Sequence, residues 1–176
     1  MDLRPRLIDV ATPPDPAGVV LVLHGGARRS GSPTVRPTQL SVLRMVPIAR
    51  RIARAGRGRL AVIRLLNASR GWDTRHTPVD DVTWALDELE RHGGPLPPVA
   101  LVGHSLGGRA ALLGAADPRV TTAVALNPYV DAADALAQRA SVEFVLVEGA
   151  KHAMLRHHRA FSARAARFVT DRLAPR

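Results

Sequence analysis

The sequence predicts an α/β fold, a mostly parallel central sheet flanked by helices and built as one domain over residues 1–176. Three observations carry that expectation. Continuous runs of β-branched and leucine residues recur, such as Val19-Val20-Leu21-Val22-Leu23, and such a run suits a strand buried on both faces. Stretches of helical periodicity separate the runs, as crossover connections between parallel strands require. Finally, the apolar Val99–Val102 meets Gly103-His104-Ser105-Leu106-Gly107-Gly108 and then small apolar residues, which reads as strand, sharp turn and helix.

In chain order, Arg6–Val10 is expected as a short edge strand. Thr12–Gly18 is a connector, because its three prolines cannot join a sheet ladder. Val19–Leu23 is the central strand, ending in His24-Gly25-Gly26-Ala27, and Arg28–Thr38 is a polar loop. Leu40–Ala55 is periodic, but proline is comfortable only in a first helical turn. Pro47 therefore sets the firm helix from near Val46 to Gly56. Leu60–Leu65 is the next strand and Asn67–Thr77 a long loop containing Arg70-Gly71-Trp72-Asp73. Pro78 opens a helix through His92, with Val82, Leu86 and Leu89 on one face and Asp81, Asp87, Glu88 and Arg91 on the other. Gly93-Gly94 stops it. The strand at Val99–Val102 and the helix Leu106–Ala116 follow, then a strand at Val120–Leu126. After these come a short helix at Asp131–Ala140 with Asp131 as its cap, a last strand at Val142–Val147, and an amphipathic helix at His157–Leu173. Its inward residues are Phe161, Ala165, Phe168 and Val169.

A chain of 176 residues, 46% of them hydrophobic, is long enough and apolar enough to bury a proper core. It has no cysteine, which excludes disulfides and thiolate metal sites. No stretch resembles a signal peptide or approaches a membrane span, so a soluble cytoplasmic protein without membrane partners is expected. The net charge of +10 raises the question of nucleic acid. Lys151 is the only lysine and the arginines run from Arg4 to Arg176, with local clusters at Arg50–Arg59 and Arg156–Arg167. That spread, with 3% aromatic residues for base stacking, points to a solvated basic surface and no nucleic-acid partner.

The chemistry centres on Ser105. Gly103-His104-Ser105-Leu106-Gly107 fits the G-x-S-x-G turn that lifts a serine oxygen clear of the backbone. A serine hydroxyl is a weak nucleophile and needs a base to take its proton. His152 is the expected base, because its loop follows the last strand at the sheet edge where Ser105 lies. His104, next to Ser105 in sequence, is expected to point away from it. His92, His157 and His158 sit at helix ends, and His76 lies in a loop. The oxyanion would be held by the backbone N–H of Leu106 and a second N–H from the loop after Leu23, from Gly26 or else Ala27. His24, Gly25, Arg70 and Trp72 lie on loops at the same edge and are assigned to substrate binding. No metal-ligand spacing occurs, and no cofactor is expected.

Val19–Ala27, the Arg70-Gly71-Trp72 loop, Val99–Ala111 and Val142–Leu155 with its Gly149-x-x-His152-Ala153-Met154 together resemble small bacterial α/β-hydrolases of the esterase and dienelactone-hydrolase kind. The resemblance implies a compact α/β-hydrolase fold without a cap domain. It also implies a Ser–His–acid serine hydrolase acting on a small-molecule ester or related acyl substrate. Such enzymes usually have one more strand–helix unit between Val120–Leu126 and Val142–Val147, and it carries the triad acid. With that unit missing, Asp131 becomes the expected acid, in the order Ser105, Asp131, His152. Asp134 and Glu148 are its alternatives, Asp73 lies on a different loop, and the cap role at Asp131 stays open. Strands lie about 4.8 Å apart, so the deletion is expected to carry the His152 loop sideways. The alternative function is a catalytically weak or inactive α/β-hydrolase-like binding protein.

Overall fold

The computed structural model describes residues 4–26, 34–72, 76–130, 134, 152, 154 and 157–175. Among them, five strands form one sheet: β1 (Arg6–Ala11), β2 (Gly18–Leu23), β3 (Leu60–Leu66), β4 (Val99–His104) and β5 (Val120–Leu126). Their spatial order is β1-β3-β2-β4-β5, with β2 to β5 parallel and β1 antiparallel at the edge beside β3. The helices are α1 (Leu40–Leu43), α2 (Met45–Gly56), α3 (Pro78–Gly93), α4 (Leu106–Gly114) and α5 (His158–Leu173). The α/β reading of the sequence therefore holds, and no cap domain occurs among the described residues. None of the described helices is long and apolar enough to cross a membrane.

The period of two in a strand sorts the core into two layers. Val20, Val22, Ala100 and Val102 meet Met45, Ile48 and Ile52 of α2 and Phe161, Ala165, Val169 and Leu173 of α5. The alternate residues Val19, Leu21, Leu23 and Leu101 meet Val82 and Leu86 of α3 and Ala110 and Ala111 of α4. Every residue of β2 and β4 is buried, as their unbroken apolar runs require. Fully burying each Val or Leu contributes about 1.5–3 kcal/mol, so these two strands anchor the sheet.

Local boundaries follow local chemistry. Pro47 is the third residue of α2, where no intrahelical carbonyl waits for its missing N–H. The helix thus begins at Met45, one residue before the expected Val46, and the short turn α1 precedes it. Thr77 caps α3 and accepts from Val79 N–H at 3.2 Å, and the Asp80 carboxylate accepts from Thr77 N–H at 2.6 Å. That backbone N–H holds the Asp80 carboxyl below its ordinary range. Helix α4 stops at Gly114, short of the expected Ala116, because the chain turns there through Ala116 N–H to Leu113 and Asp117 N–H to Gly114.

Two face assignments are corrected. Asp81, expected on the solvent face of α3, is 1% exposed. Its carboxylate accepts from Ala68 N–H at 3.0 Å and pairs with His76 Nε2 at 2.7 Å, tying the loop after β3 to the start of α3. Burial pushes this carboxyl up, against the pull of those two partners. Phe168 of α5, expected inside, is half-buried under the Arg172 guanidinium, 3.5 Å from its ring centre, while Ala166 takes a buried position. The expected strand Val142–Val147 lies outside the described residues, as does the expected helix Asp131–Ala140 apart from Asp134.

Asp81→Ala should cost about 1–3 kcal/mol, because the buried Ala68 N–H loses its acceptor. Asp87→Ala, which removes a surface partner of Arg119, should cost under about 1 kcal/mol. Urea unfolding of the two variants measures the contrast, and equal shifts would show that Asp81 is not a tie.

Candidate active site

The parallel strands end level, so the loops that leave them meet at one edge. Leu23 is level with Leu65 and with Gly103, and His104 with Leu126. His24–Gly26, Asn67–Trp72, the turn at Ser105 and the segment from Asn127 onward all leave from there. Ligands of open α/β sheets bind at this kind of edge.

Ser105 sits between β4 and α4 with φ 56° and ψ −118°, a backbone state that a side chain rarely adopts. Strain of this kind costs about 1–3 kcal/mol. Three bonds hold it: Ser105 N–H donates to Leu126 O at 3.1 Å, and Ser105 O accepts from Arg109 N–H at 3.0 Å and Tyr129 N–H at 3.1 Å. At about 0.5–1.5 kcal/mol each, they offset a penalty of that size. The turn also requires α4 to lie close on β2. A Cβ at Gly107 would stand 2.5 Å from His24 O and 2.7 Å from Leu23 O, so no other residue fits without displacing backbone.

His152 Nε2 stands 3.0 Å from Ser105 Oγ. The sideways displacement expected of the His152 loop has not separated this pair. Two anchors account for it. The His152 carbonyl accepts from His104 Nε2 at 2.8 Å. Met154, two residues on, is 1% exposed in the core layer with Phe161, and its carbonyl accepts from His157 N–H at 3.2 Å. Burying a methionine contributes about 1.5–3 kcal/mol, enough to seat a short loop.

His104 was expected to point away from Ser105, and it makes no bond to that hydroxyl; instead it supports the residue that does. Its ring lies 5.3 Å from that of His152, tilted by 40°. Burial pushes its pKa down from 6.5 to about 4, so it is a neutral donor at pH 7. His24, assigned from the sequence to substrate binding, is corrected: it is buried, and its Nδ1 donates to Gly25 O at 2.7 Å while Nε2 accepts from Asn67 N–H at 3.1 Å. With both ring nitrogens engaged it braces the loop after β2 against the loop after β3, and burial lowers its pKa too.

The remaining expected residues lie on the turn and the loops at this edge of the sheet. Leu106 is the first residue of α4, so its N–H has no carbonyl one turn earlier in the helix. A Cβ on Gly25 would touch Ser105 Cβ at 3.3 Å, and one on Gly26 would strike Arg70 O at 2.1 Å, so these loops are packed backbone to backbone. Trp72 packs on the α3/α4 core layer, and the Arg109 guanidinium lies 4.0 Å over its ring. Arg109 Nε also donates to Asp134 Oδ1 at 3.0 Å, and that carboxylate is 5% exposed. Sequence reasoning missed Arg109; the one sign was a lone arginine in a turn of glycines and alanines. Asp131, Glu148, Asp73 and Ala27 lie outside the described residues. Among the described residues no carboxylate stands at hydrogen-bond distance from the His152 ring, and no group of three metal-ligating side chains occurs.

No family model matches this chain, and no curated protein does. Solved structures do. An α/β serine hydrolase homologue from Coxiella burnetii superposes with a TM-score of 0.64 at 16% identity, covering 94% of this chain and 90% of that one. An α/β serine hydrolase without lid from Xanthomonas campestris gives 0.48 at 18% identity, over 70% of this chain and 56% of its own. A monoacylglycerol lipase from Paleococcus ferrophilus gives 0.44 at 20% identity, over 71% of this chain and 43% of its own. The first of these likenesses shows the fold: it is that of the α/β serine hydrolases.

Between about pH 6.5 and 4 the unfolded chain takes up a proton at His104 that the folded chain refuses, and the lowered pKa of His24 acts in the same direction. Stability should therefore fall as pH drops through that window. The urea midpoint should decline from pH 7 to pH 4.5 in the wild type and decline less in His104→Gln, and parallel slopes would contradict the assignment.

Proposed function

We propose that this chain is a serine hydrolase that cleaves carboxylic esters or related small acyl compounds. The observation that carries the reading is the 3.0 Å approach of His152 Nε2 to Ser105 Oγ, with Ser105 on a left-handed turn at the sheet edge. In the proposed reaction His152 takes the Ser105 proton as Oγ attacks the acyl carbon. The tetrahedral oxyanion is held by the N–H groups of Leu106 and Gly26, aided by the positive end of α4. His152 then returns the proton to the leaving alcohol, which departs and leaves an acyl-Ser105. Water, deprotonated by His152, attacks that acyl group; the acyl–Oγ bond breaks, His152 returns the proton to Ser105 Oγ, and the carboxylic acid is released. The atoms balance with these residues and water alone, so the proposal calls for no cofactor.

Asp131 is the proposed acid that orients His152. Asp134, its alternative, is bound by Arg109 in the structure, and that engagement favours Asp131 over it. Arg70 and Trp72 are proposed to line the acyl or alcohol site from the loop after β3. The same bond between Arg109 and Asp134 gives the second reading its footing: a chain that keeps the Ser105–His152 pair and hydrolyses slowly because no acid serves it.

Turnover of a short-chain p-nitrophenyl ester tests the proposal. Ser105→Ala should abolish hydrolysis while leaving the melting temperature near that of the wild type, and retained turnover would remove Ser105 from the mechanism. Asp131→Asn should keep the fold and cut turnover by orders of magnitude, toward the roughly 10⁴-fold loss of the reference triad. A change of only a few-fold would select the slow, acid-less reading instead, since asparagine caps a helix nearly as well.

A further inference from the structure

We propose that His104 is a positioning residue for His152, fixing through the His152 carbonyl where the imidazole stands against Ser105. The inference rests on the serine-hydrolase reading above and adds to it a residue that the reaction itself does not use.

The argument starts from strand alternation. Ala100 and Val102 of β4 face the layer formed by α2 and α5, and His104 continues that row at the strand end. Its side chain is therefore carried to the side from which the His152 loop returns toward α5. There its Nε2–H donates to the His152 carbonyl at 2.8 Å. The next residue in sequence is Ser105, whose Oγ lies 3.0 Å from His152 Nε2. A closed circuit results: Ser105 to His104 by the backbone, His104 to the His152 carbonyl, and the His152 ring back to Ser105. With its carbonyl held, the His152 backbone is restricted where the ring departs, and the two side-chain torsions then aim the ring.

The other contacts of His104 leave it little room to move. A Cβ placed on Gly25 would stand 3.4 Å from His104 Nδ1 and 3.3 Å from its carbonyl, so the loop after β2 closes the opposite side. The ring is 1% exposed. Nδ1 is buried with no hydrogen-bond partner among the described residues. A buried polar atom without a partner costs stability, and an apolar side chain of the same shape would avoid that cost. Stability alone thus does not account for a histidine here, whereas a donor aimed at the His152 carbonyl does. Burial disfavours its protonation most; the bond to the His152 carbonyl works against that, and the charged and titratable groups facing it, Arg44 and the His152 ring, add to the effect of burial. The donor is therefore a neutral N–H held in one tautomer.

Two variants test the proposal. His104→Phe fills the ring volume without the donor, and His104→Gln returns an N–H at similar reach. On a short-chain p-nitrophenyl ester, the Phe variant should lose about tenfold or more in kcat with KM within about threefold, because misplacing a catalytic group by about 1 Å costs on the order of a hundredfold. The Gln variant should recover most of that loss. Equal kcat in wild type and Phe variant, or a Gln variant no better than Phe, would overturn the proposal. A readout independent of turnover is the ring ¹⁵N resonances of His152 in histidine-labelled protein. They should shift in the Phe variant and return in the Gln variant, and unchanged resonances in the Phe variant would overturn the proposal. If the wild type hydrolyses no ester, the serine-hydrolase reading fails, and these resonances still decide the role of His104. Urea unfolding checks that each variant folds, with His104→Leu replacing a Phe variant that does not.

Discussion

The left-handed backbone at Ser105 is the constraint on which the rest of the structure depends. A serine there is sterically costly, and the chain maintains it only because its neighbours leave no alternative. Leu126 accepts its N–H, while Arg109 and Tyr129 donate to its carbonyl. Gly107 lets α4 settle against the carbonyls of Leu23 and His24. Those partners come from β2, α4, β5 and the segment after β5. The buried strands β2 and β4 therefore do more than supply a core: they set the height at which every loop leaves the sheet. The hydroxyl is placed by packing, with local propensity opposed to it.

A second constraint acts on the histidine. His152 has to be held at the sheet edge where Ser105 lies. Here the return is secured from below. Met154 enters the α2/α5 layer and His104 holds the carbonyl of His152. The 3.0 Å approach to Ser105 thus has two supports among the described residues, the bond at the His152 carbonyl and the burial of Met154.

Much of the fold was legible in the sequence because the strongest signals were continuous. Val19–Leu23 and Val120–Leu126 read directly as strands, and glycines and prolines marked most turns. Where the reading failed, a tertiary partner had overridden the local pattern. Asp81 looked like a solvent-face carboxylate, since its period alone could not show that Ala68 N–H and His76 would meet it inside. His24 looked like a residue at the mouth because it stood beside two glycines, yet its ring turns inward to Asn67. His104 and Arg109 were missed for the same reason. Each acts on a residue far along the chain, His152 and Asp134, and no spacing in the chain encodes such a contact.

The central claim is that the geometry at Ser105 makes that one hydroxyl an activated nucleophile. Exposure to a fluorophosphonate, followed by intact-mass and peptide analysis, tests it most directly, because no natural substrate need be known. The account predicts a single adduct on the peptide carrying Ser105, formed much more slowly in His152→Ala. An unmodified chain, an adduct on another residue, or an equal rate in His152→Ala would contradict it.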